Sequence, residues 1–575
     1  MKAHSVVISA IALALALTSG AVWGAPQYVA SPPLAQVLQG APAPVKDTGE
    51  LTVPLITWGG DIATILANGN SASTAAGSIF AKRGLKLKLV RMDDFKKQAE
   101  AFIKGETPFL RGTMGMINMA AEALSKDPRV APVVVYQMTW SVGGDCLVVK
   151  QGIQAVRDLK GKTIALQAYG PHVDYLGTVL KDAGLSMNDV KIKWTPDVTG
   201  TENTPGEAFH QPDADAAFVI IPDGLALTSK GTVGTGAEGS VRGARILMST
   251  RTASRVIADV YAVRSDYFQA RRQQVEVFVN GLLTAEQQLK RLFADRKNKT
   301  GELKALLSAS AQILLDSPQA TADAEALYGD CEFVGFGGNV KFFGDANWPR
   351  NFANLTESIQ SSFVTGGLLG KKVHIEQAKW EYDRLRTDLT GVEDVASPRF
   401  KMDEVAKVVE KRRAVGKLGE AELFSFEILF QPNQNDFPAE NYAAEFAKVV
   451  ELASTYGGAV IVVEGHSDPL GYLRRKKEGE TEMMLKRTEQ AAKNLSLARA
   501  MKVRDGVIES GKKKGASLDL SQFTVIGHGI NQPKSGLCGG EPCAPRTKEE
   551  WLSNMRVVFR MIQVEAEDSV FKPLD

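Results

Sequence analysis

Between residues 51 and 389, short apolar runs alternate with longer amphipathic stretches, and this rhythm constrains the fold more than any other feature of the chain. Runs of strand length fall at 51–57, 86–91, 130–136, 146–150, 163–167 and 216–221. Stretches of helical period fall at 95–104, 173–183 and 274–293. Strands that alternate with helices are covered by them, so the pattern predicts an α/β architecture with largely parallel sheets. A chain of 575 residues has room for several such cores. Its 68 Lys+Arg against 66 Asp+Glu lack the basic excess of a whole-chain nucleic-acid binder, so no nucleic-acid partner is expected.

Residues 1–25 read as a secretory signal: a weakly basic start at Lys2 and His4, an apolar run over 6–17, then small residues at Ser19, Gly20, Ala21, Gly24 and Ala25. The run is too short to span about 30 Å of hydrocarbon. Residues 26–50 are rich in Pro and Ala and lack periodicity, which predicts an extended linker. Four cysteines suit an oxidising compartment. Cys538 and Cys543 flank Gly539-Gly540-Glu541-Pro542 and are expected to close a local disulfide; Cys146 and Cys331 are expected to pair with each other. A zinc site is the competing reading, but neither pair has a His at ligand spacing, so no metal and no cofactor are expected. The chain has no G-x-S-x-G elbow, HExxH helix or P-loop, and the reading is not that of an enzyme.

Residues 390–420, with Glu410-Lys411-Arg412-Arg413, read as a charged, solvated linker helix. Beyond it, residues 421–566 form a compact unit in the order strand (424–430), helix (439–456), strand (459–465), helix (480–510), strand (522–527), helix and strand (549–563). This order predicts a small α+β sandwich of a size able to fold alone.

The wording of the first half is more specific than its rhythm. Asp158-Leu159-Lys160-Gly161-Lys162-Thr163-Ile164-Ala165, Tyr169-Gly170, Tyr175-Leu176 and Gly184-Leu185 resemble periplasmic substrate-binding proteins of bacterial ABC importers, of the nitrate/taurine/thiamine-precursor type. Asp213–Phe218 before Pro222, and Arg264-Ser265-Asp266-Tyr267-Phe268, extend the resemblance over 51–389. It implies a two-lobed type II fold closing on a small-molecule solute by hinge motion. Lobe one would comprise 51–138 and 248–389, lobe two 143–244, and an inner-membrane ABC permease would be a partner. Ligands collect at the carboxyl ends of strands in such sheets. By position this nominates Trp58, Gly59, Gly60 and Asp61, then Thr113, Trp140 and Ser141, and in lobe two Tyr169, Gly170, His172 and Asp223. Helix N-termini there favour an anion, whereas Asp61 and Asp223 suit an amine. One thiamine-precursor relative of this fold does chemistry through a Cys-rich signature, which this chain lacks.

The C-terminal unit resembles the OmpA-like peptidoglycan-binding domain. The pieces are Ile461–Asp468, Leu495-Ser496-Leu497-Ala498-Arg499-Ala500, Val525–Gly529, Gln532-Pro533 and Asn554–Phe559, in that order. The resemblance implies that Asp468 takes the ammonium and Arg499 the carboxylate of diaminopimelate. An acceptor-only anion beside a forked cation suits that zwitterion. Phe430, Asn433 and Asn435 would lie beside the site and Arg556 would orient its wall. His466 and His528 read as hydrogen-bonded turn residues. Two features depart from the family: Asp468 and Arg499 are more widely spaced, through a basic inserted segment at 472–490, and Met555 stands where Arg is common. Together the two resemblances imply an exported solute-binding protein held on the cell wall in the periplasm of a Gram-negative bacterium, near the outer membrane. The alternatives are a wall-tethered scaffold whose clamshell binds a protein partner and, after it, a periplasmic enzyme on the same fold.

Overall fold

The computed structural model describes residues 26–46, 49–237, 239–390, 402–414, 416, 422–432, 434, 436–513, 515–516 and 518–563; the expected signal at 1–25 lies outside them. Among the described residues no helix is long and apolar enough to cross a membrane.

Two α/β lobes come first. In lobe one, strands Cys331–Phe333, Pro132–Ser141, Ala258–Arg264 and Phe109–Thr113 form an antiparallel path, with Glu376–Gln377 parallel to the long second strand. Leu51–Leu55 and Leu87–Arg91 pair in parallel beside it. In lobe two the order is Lys191–Thr195, Thr163–Gln167, Ala216–Ile220, Asp145–Val149, Arg245–Ser249. Its first three strands run parallel and its last two are antiparallel to their neighbours.

The sheets are therefore mixed rather than largely parallel, for a topological reason. The chain leaves lobe one along Pro132–Ser141, enters lobe two along Asp145–Val149, and returns along Arg245–Ser249 to Ala258–Arg264. Outgoing and returning strands are neighbours, so they must run in opposite directions. Arg245–Ser249 belongs to the lobe-two sheet, which carries that lobe past the expected limit at 244.

The expected Cys146–Cys331 bridge is not formed: Cys146 lies in the lobe-two sheet and Cys331 opens a lobe-one strand. Cys331 Sγ donates instead to Leu327 O, at 3.3 Å. Cys538 and Cys543 are bonded, with their Cα atoms 5.1 Å apart.

The helices His172–Asp182 of lobe two and Met114–Leu124 and Phe352–Thr365 of lobe one pack directly, so Tyr175, Leu176, Val179, Ile117, Ala121, Leu355 and Ile359 share one core. Residues 26–46 are no free linker. They have almost no regular structure, but they lie along both lobes: Val29 N donates to Trp194 O (2.9 Å), Leu34 is buried, and Lys46 N donates to Gly105 O (2.9 Å).

The C-terminal sheet has the order Glu422–Leu429, Arg556–Ile562, Val460–Gly465, Phe523–Gly527, with only the last pair parallel. Helices Ala443–Thr455 and Glu482–Lys513 cover one face. The other is covered by Met402–Ala414, the stretch expected to be a solvated linker. Val405, Val408 and Val409, spaced for one helical face, are buried against Val460, Val462 and Ile562. A sheet apolar on both faces needs two layers, and this helix supplies the second. The inserted basic segment forms the helix Leu470–Lys477 and the first turns of Glu482–Lys513, with Arg475 paired to Glu480 and Lys476 to Glu541.

This unit docks on the returning crossing. Gly458 N donates to Thr252 O and Arg255 N to Thr455 O, both at 3.1 Å, and Gln563 Nε2 donates to Leu247 O. Lys448 and Asp182, and Lys181 and Glu451, pair at 3.4 Å. Replacing Val409, 1 % exposed, by Asp buries an unpaired charge. The expected loss is about 3 kcal/mol or more in urea unfolding, whereas a solvated linker would leave stability unchanged.

Candidate functional site

The inter-lobe crossing is built on one carboxylate. Asp145 begins the first lobe-two strand, and its Oδ2 accepts from Ser141 Oγ (2.6 Å) while its Oδ1 meets His172 Nε2 (2.7 Å). Its carbonyl accepts from Thr250 N (2.8 Å) on the returning chain, and Thr250 Oγ1 lies 2.8 Å from Ser141 Oγ. Two expected site residues, Ser141 and His172, are thus brought together, both on Asp145 and both buried.

Trp58 reaches the same place. It is half-buried, donates from Nε1 to Thr139 Oγ1 (3.0 Å), and lies across Gly144, where a Cβ would come within 2.6 Å of the indole. Asp330 borders Gly143 and Gly144 from the other side. Burial pushes its carboxyl up to about 7, reinforced by the charge of Asp145 and opposed by Arg251. Asp223 is half-buried near His172; burial raises it, against a hydrogen bond from Thr199 and the pull of His172. Trp58, Gly144, Asp330, Asp145, His172 and Asp223 thus gather around the crossing between the lobes. Asp330 has no sequence motif around it, and only its place beside the crossing marks it.

Several expected residues are occupied otherwise. Asp61 is fully buried: Arg111 Nε lies 3.2 Å from its carboxylate, Ile56 N donates to it at 3.2 Å, and Tyr261 OH at 3.3 Å. Burial raises Asp61 despite Arg111, and it has no face for an amine. Arg111 also holds Asp259 at 2.9 Å. Burial alone would lower the guanidinium, but the two carboxylates more than offset this and hold it well above its ordinary value. Burial likewise pushes Asp259 up to about 6 against the pull of Arg111.

Gly59 and Gly60 pack on Leu327 O and Met138 Sδ, where a Cβ would lie at 2.0 and 2.8 Å, so they offer no open backbone. Thr113 caps the helix Met114–Leu124 by accepting from Met116 N (3.1 Å). Trp140 is a core aromatic, edge-on to Phe342 and Trp348 with ring centres 6.1 Å apart. Gly170 faces Gln167 Oε1, and Tyr169 OH donates to Pro32 O (2.8 Å) beneath the N-terminal segment.

A second site lies at one end of the C-terminal sheet. Asp468 is half-buried; its Oδ2 accepts from Leu470 N (2.9 Å) and its Oδ1 from Asn554 Nδ2 (3.3 Å). Phe430 N donates to Met555 O (2.8 Å), the next residue along. Arg499, 1 % exposed, stands 5.0 Å over the Phe430 ring and donates from Nε to Gln434 O (2.6 Å) and from Nη2 to Gln431 O (3.2 Å). Its Nη1 has no partner among the described residues. Burial lowers the guanidinium to about 10. Asp468 and Arg499 approach the 554–555 turn and the Phe430 strand end without pairing with each other among the described residues. Asn433 and Asn435 lie outside the described residues. Arg556 donates weakly to Gln532 O (3.3 Å) and stands 3.8 Å from Glu427.

Behind this end, Glu464, His466 and His528 come together, with Glu464 bound to His528 Nε2 and Arg560 Nε, both at 2.8 Å. Burial raises Glu464, but the hydrogen bonds from His528 and Arg560 overcome it and hold the carboxyl at about 2. Burial, together with Arg556 and His528, pushes His466 down to about 3. Arg560 already supplies the cation of this cluster, so it reads as a structural network.

Residues 77–290 match the family model described as NMT1/THI5 like, a span that crosses both lobes. Among solved structures, the chain is similar to the periplasmic aliphatic sulphonate binding protein SsuA from Escherichia coli, at 17% identity over 56% of this chain and 89% of that one, with a TM-score of 0.38. For the alkanesulfonate-binding protein SsuA from Xanthomonas axonopodis pv. citri, bound to MOPS, the values are 19%, 57%, 97% and 0.38. For the desulfurization enzyme DSZB they are 18%, 58%, 95% and 0.34. No curated protein matches the chain. The NMT1/THI5-like span thus falls on two α/β lobes joined by a double crossing.

Because Glu464 titrates below its ordinary value of 4.5, its contribution to stability is fully present above about pH 4.5 and is lost as pH falls towards about 2. The difference in melting temperature between the wild type and Glu464→Gln should therefore be largest above pH 4.5 and shrink on acidification, as read by calorimetry.

Proposed function

We propose that this protein is an exported solute-binding protein that holds itself on the cell wall through diaminopimelate-type peptidoglycan. The observation that carries the first half is the meeting of Trp58, Asp330 and Asp145 at the double crossing, between lobes that each contribute a wall. An indole beside carboxyls, one of them pushed up to about 7, suits a polar solute with an apolar face and a hydrogen-bond donor. The reading places the protein in the periplasm, with an ABC permease as the natural recipient of the solute.

Support for the second half comes from Arg499 and Asp468. A desolvated guanidinium with one nitrogen unpartnered among the described residues and a half-buried carboxylate at the same strand end match the two charges of diaminopimelate's free end. Tethering would keep the solute-binding unit at high effective concentration near its recipient.

Two measurements test the two halves separately. A panel of cationic, neutral and anionic transport-type solutes is screened on the full chain for a rise in melting temperature; a solute at 100 times its Kd adds about 2.7 kcal/mol. Asp330→Asn and Trp58→Ala should each weaken that solute roughly tenfold, about 1.4 kcal/mol. A panel that leaves the transition unmoved would favour the partner-binding scaffold. Asp468→Asn and Arg499→Lys should abolish sedimentation with purified sacculi while the circular dichroism spectrum stays unchanged. Full sedimentation of Asp468→Asn would remove the proposed wall site.

A further inference from the structure

The crossing strands join the lobes at one edge of the lobe-two sheet, where Asp145–Val149 and Arg245–Ser249 lie. The opposite edge is the strand Lys191–Thr195, and there residues 26–46 join the lobes a second time. On lobe two, Gln27 N donates to Asn203 Oδ1 (2.7 Å), Val29 N to Trp194 O (2.9 Å) and Tyr169 OH to Pro32 O (2.8 Å). The Lys193 ammonium sits 4.6 Å above the Tyr28 ring. On lobe one, Leu34 is 1 % exposed in the core beside Met114–Leu124, and Lys126 Nζ donates to Ala35 O (2.7 Å). Ala43 N and Lys46 N then donate to Ile103 O (3.2 Å) and Gly105 O (2.9 Å).

We infer that residues 26–46 are a strap that clamps the two lobes shut at the edge opposite the hinge, and that its lobe-two end is the end that lets go. Opening by rotation about the crossing separates the far edges most, and these are the edges the strap spans. Pro32, Pro33, Pro42 and Pro44 stiffen it, so less chain entropy is lost when it lies down. Its two ends differ in kind. The lobe-one end buries a leucine and continues along a run of main-chain hydrogen bonds. The lobe-two end rests on polar contacts and on the part-buried ring of Tyr28, and Tyr169, which holds Pro32, sits in the left-handed region at φ 59°. The contact that must break first on opening therefore lies on the loop where Tyr169 was expected to meet a solute.

The test needs no solute, so its outcome is independent of the function proposed above. Nitroxides are placed on the full chain at Lys97→Cys in lobe one and Lys160→Cys in lobe two, whose side chains are 79% and 71% exposed. Cys146 and Cys331 are buried and Cys538–Cys543 is bonded, so labelling is confined to the new sites. Inter-lobe distances are measured alongside hydrogen exchange of the strap and of the strand Thr163–Gln167. The double substitution Val29→Pro/Tyr169→Phe frees the lobe-two end, and Leu34→Glu frees the lobe-one end.

With the core strand still protected, both variants should raise exchange over 27–35. They should also broaden the distance distribution and shift it longer by more than about 2 Å. The double substitution should give the same opening without touching the buried leucine. Faster strap exchange with an unmoved distance would overturn the inference and assign closure to the helix packing alone. Unchanged strap exchange in both variants would overturn it equally, since these contacts would then not be what holds the segment.

Discussion

The buried carboxylate of Asp145 carries the architecture of the first two thirds of the chain. Its side chain takes Ser141 from the outgoing crossing and His172 from the first lobe-two helix, and its carbonyl takes Thr250 from the returning crossing. A carboxylate removed from water is costly unless its lone pairs are filled, and here three residues from three segments converge on Asp145. The two crossings are thereby locked side by side, and the antiparallel pairing of both sheets follows from that lock. Trp58 and Asp330 reach a common point only because Gly143 and Gly144 pass close between them.

The rest of the molecule is fastened to that crossing rather than hung from it. The C-terminal unit bonds to Thr252 and Arg255, within the returning segment, and to Asp182 at the far end of the helix His172 begins. Tyr456 is buried at this junction beside Asp182 and Arg350, next to a cavity of about 280 Å³ that both units line. The lobes also share the core of Met114–Leu124, His172–Asp182 and Phe352–Thr365. The two lobes therefore meet through packed helices as well as at the crossing.

Periodicity made much of this legible. The strands Thr163–Gln167 and Ala216–Ile220 and the helix Phe95–Ile103 stand where their apolar spacing predicts, and so do the elements of the C-terminal sheet. Val405, Val408 and Val409 carried a readable helical face, but the neighbouring Glu410–Arg413 charge run drew attention to the opposite, solvated side. The strap left little signal, because most of its hydrogen bonds are made by main-chain groups of Val29, Pro32, Ala35, Ala43 and Lys46, which no side-chain pattern encodes. Position alone nominated Asp61, yet it could not show that Arg111, fifty residues on, would consume its charge. Cys146 and Cys331 fell in one predicted domain, and only the lobe assignment of each strand separates them. Asp330 was invisible for the opposite reason: an ordinary aspartate acquires its character from glycines far away in sequence.

The docking of the C-terminal unit has a geometric outcome. A globular head on a loose tether would tumble and present its mouth in every direction. Here the route from the C-terminal sheet, beside which Asp468 and Arg499 lie, to the lobes runs through main-chain hydrogen bonds at Thr252 and Thr455. Gripping a fixed surface at that sheet would therefore set the compass bearing of the cleft, and the molecule would face one way like a mounted instrument rather than drift like a buoy.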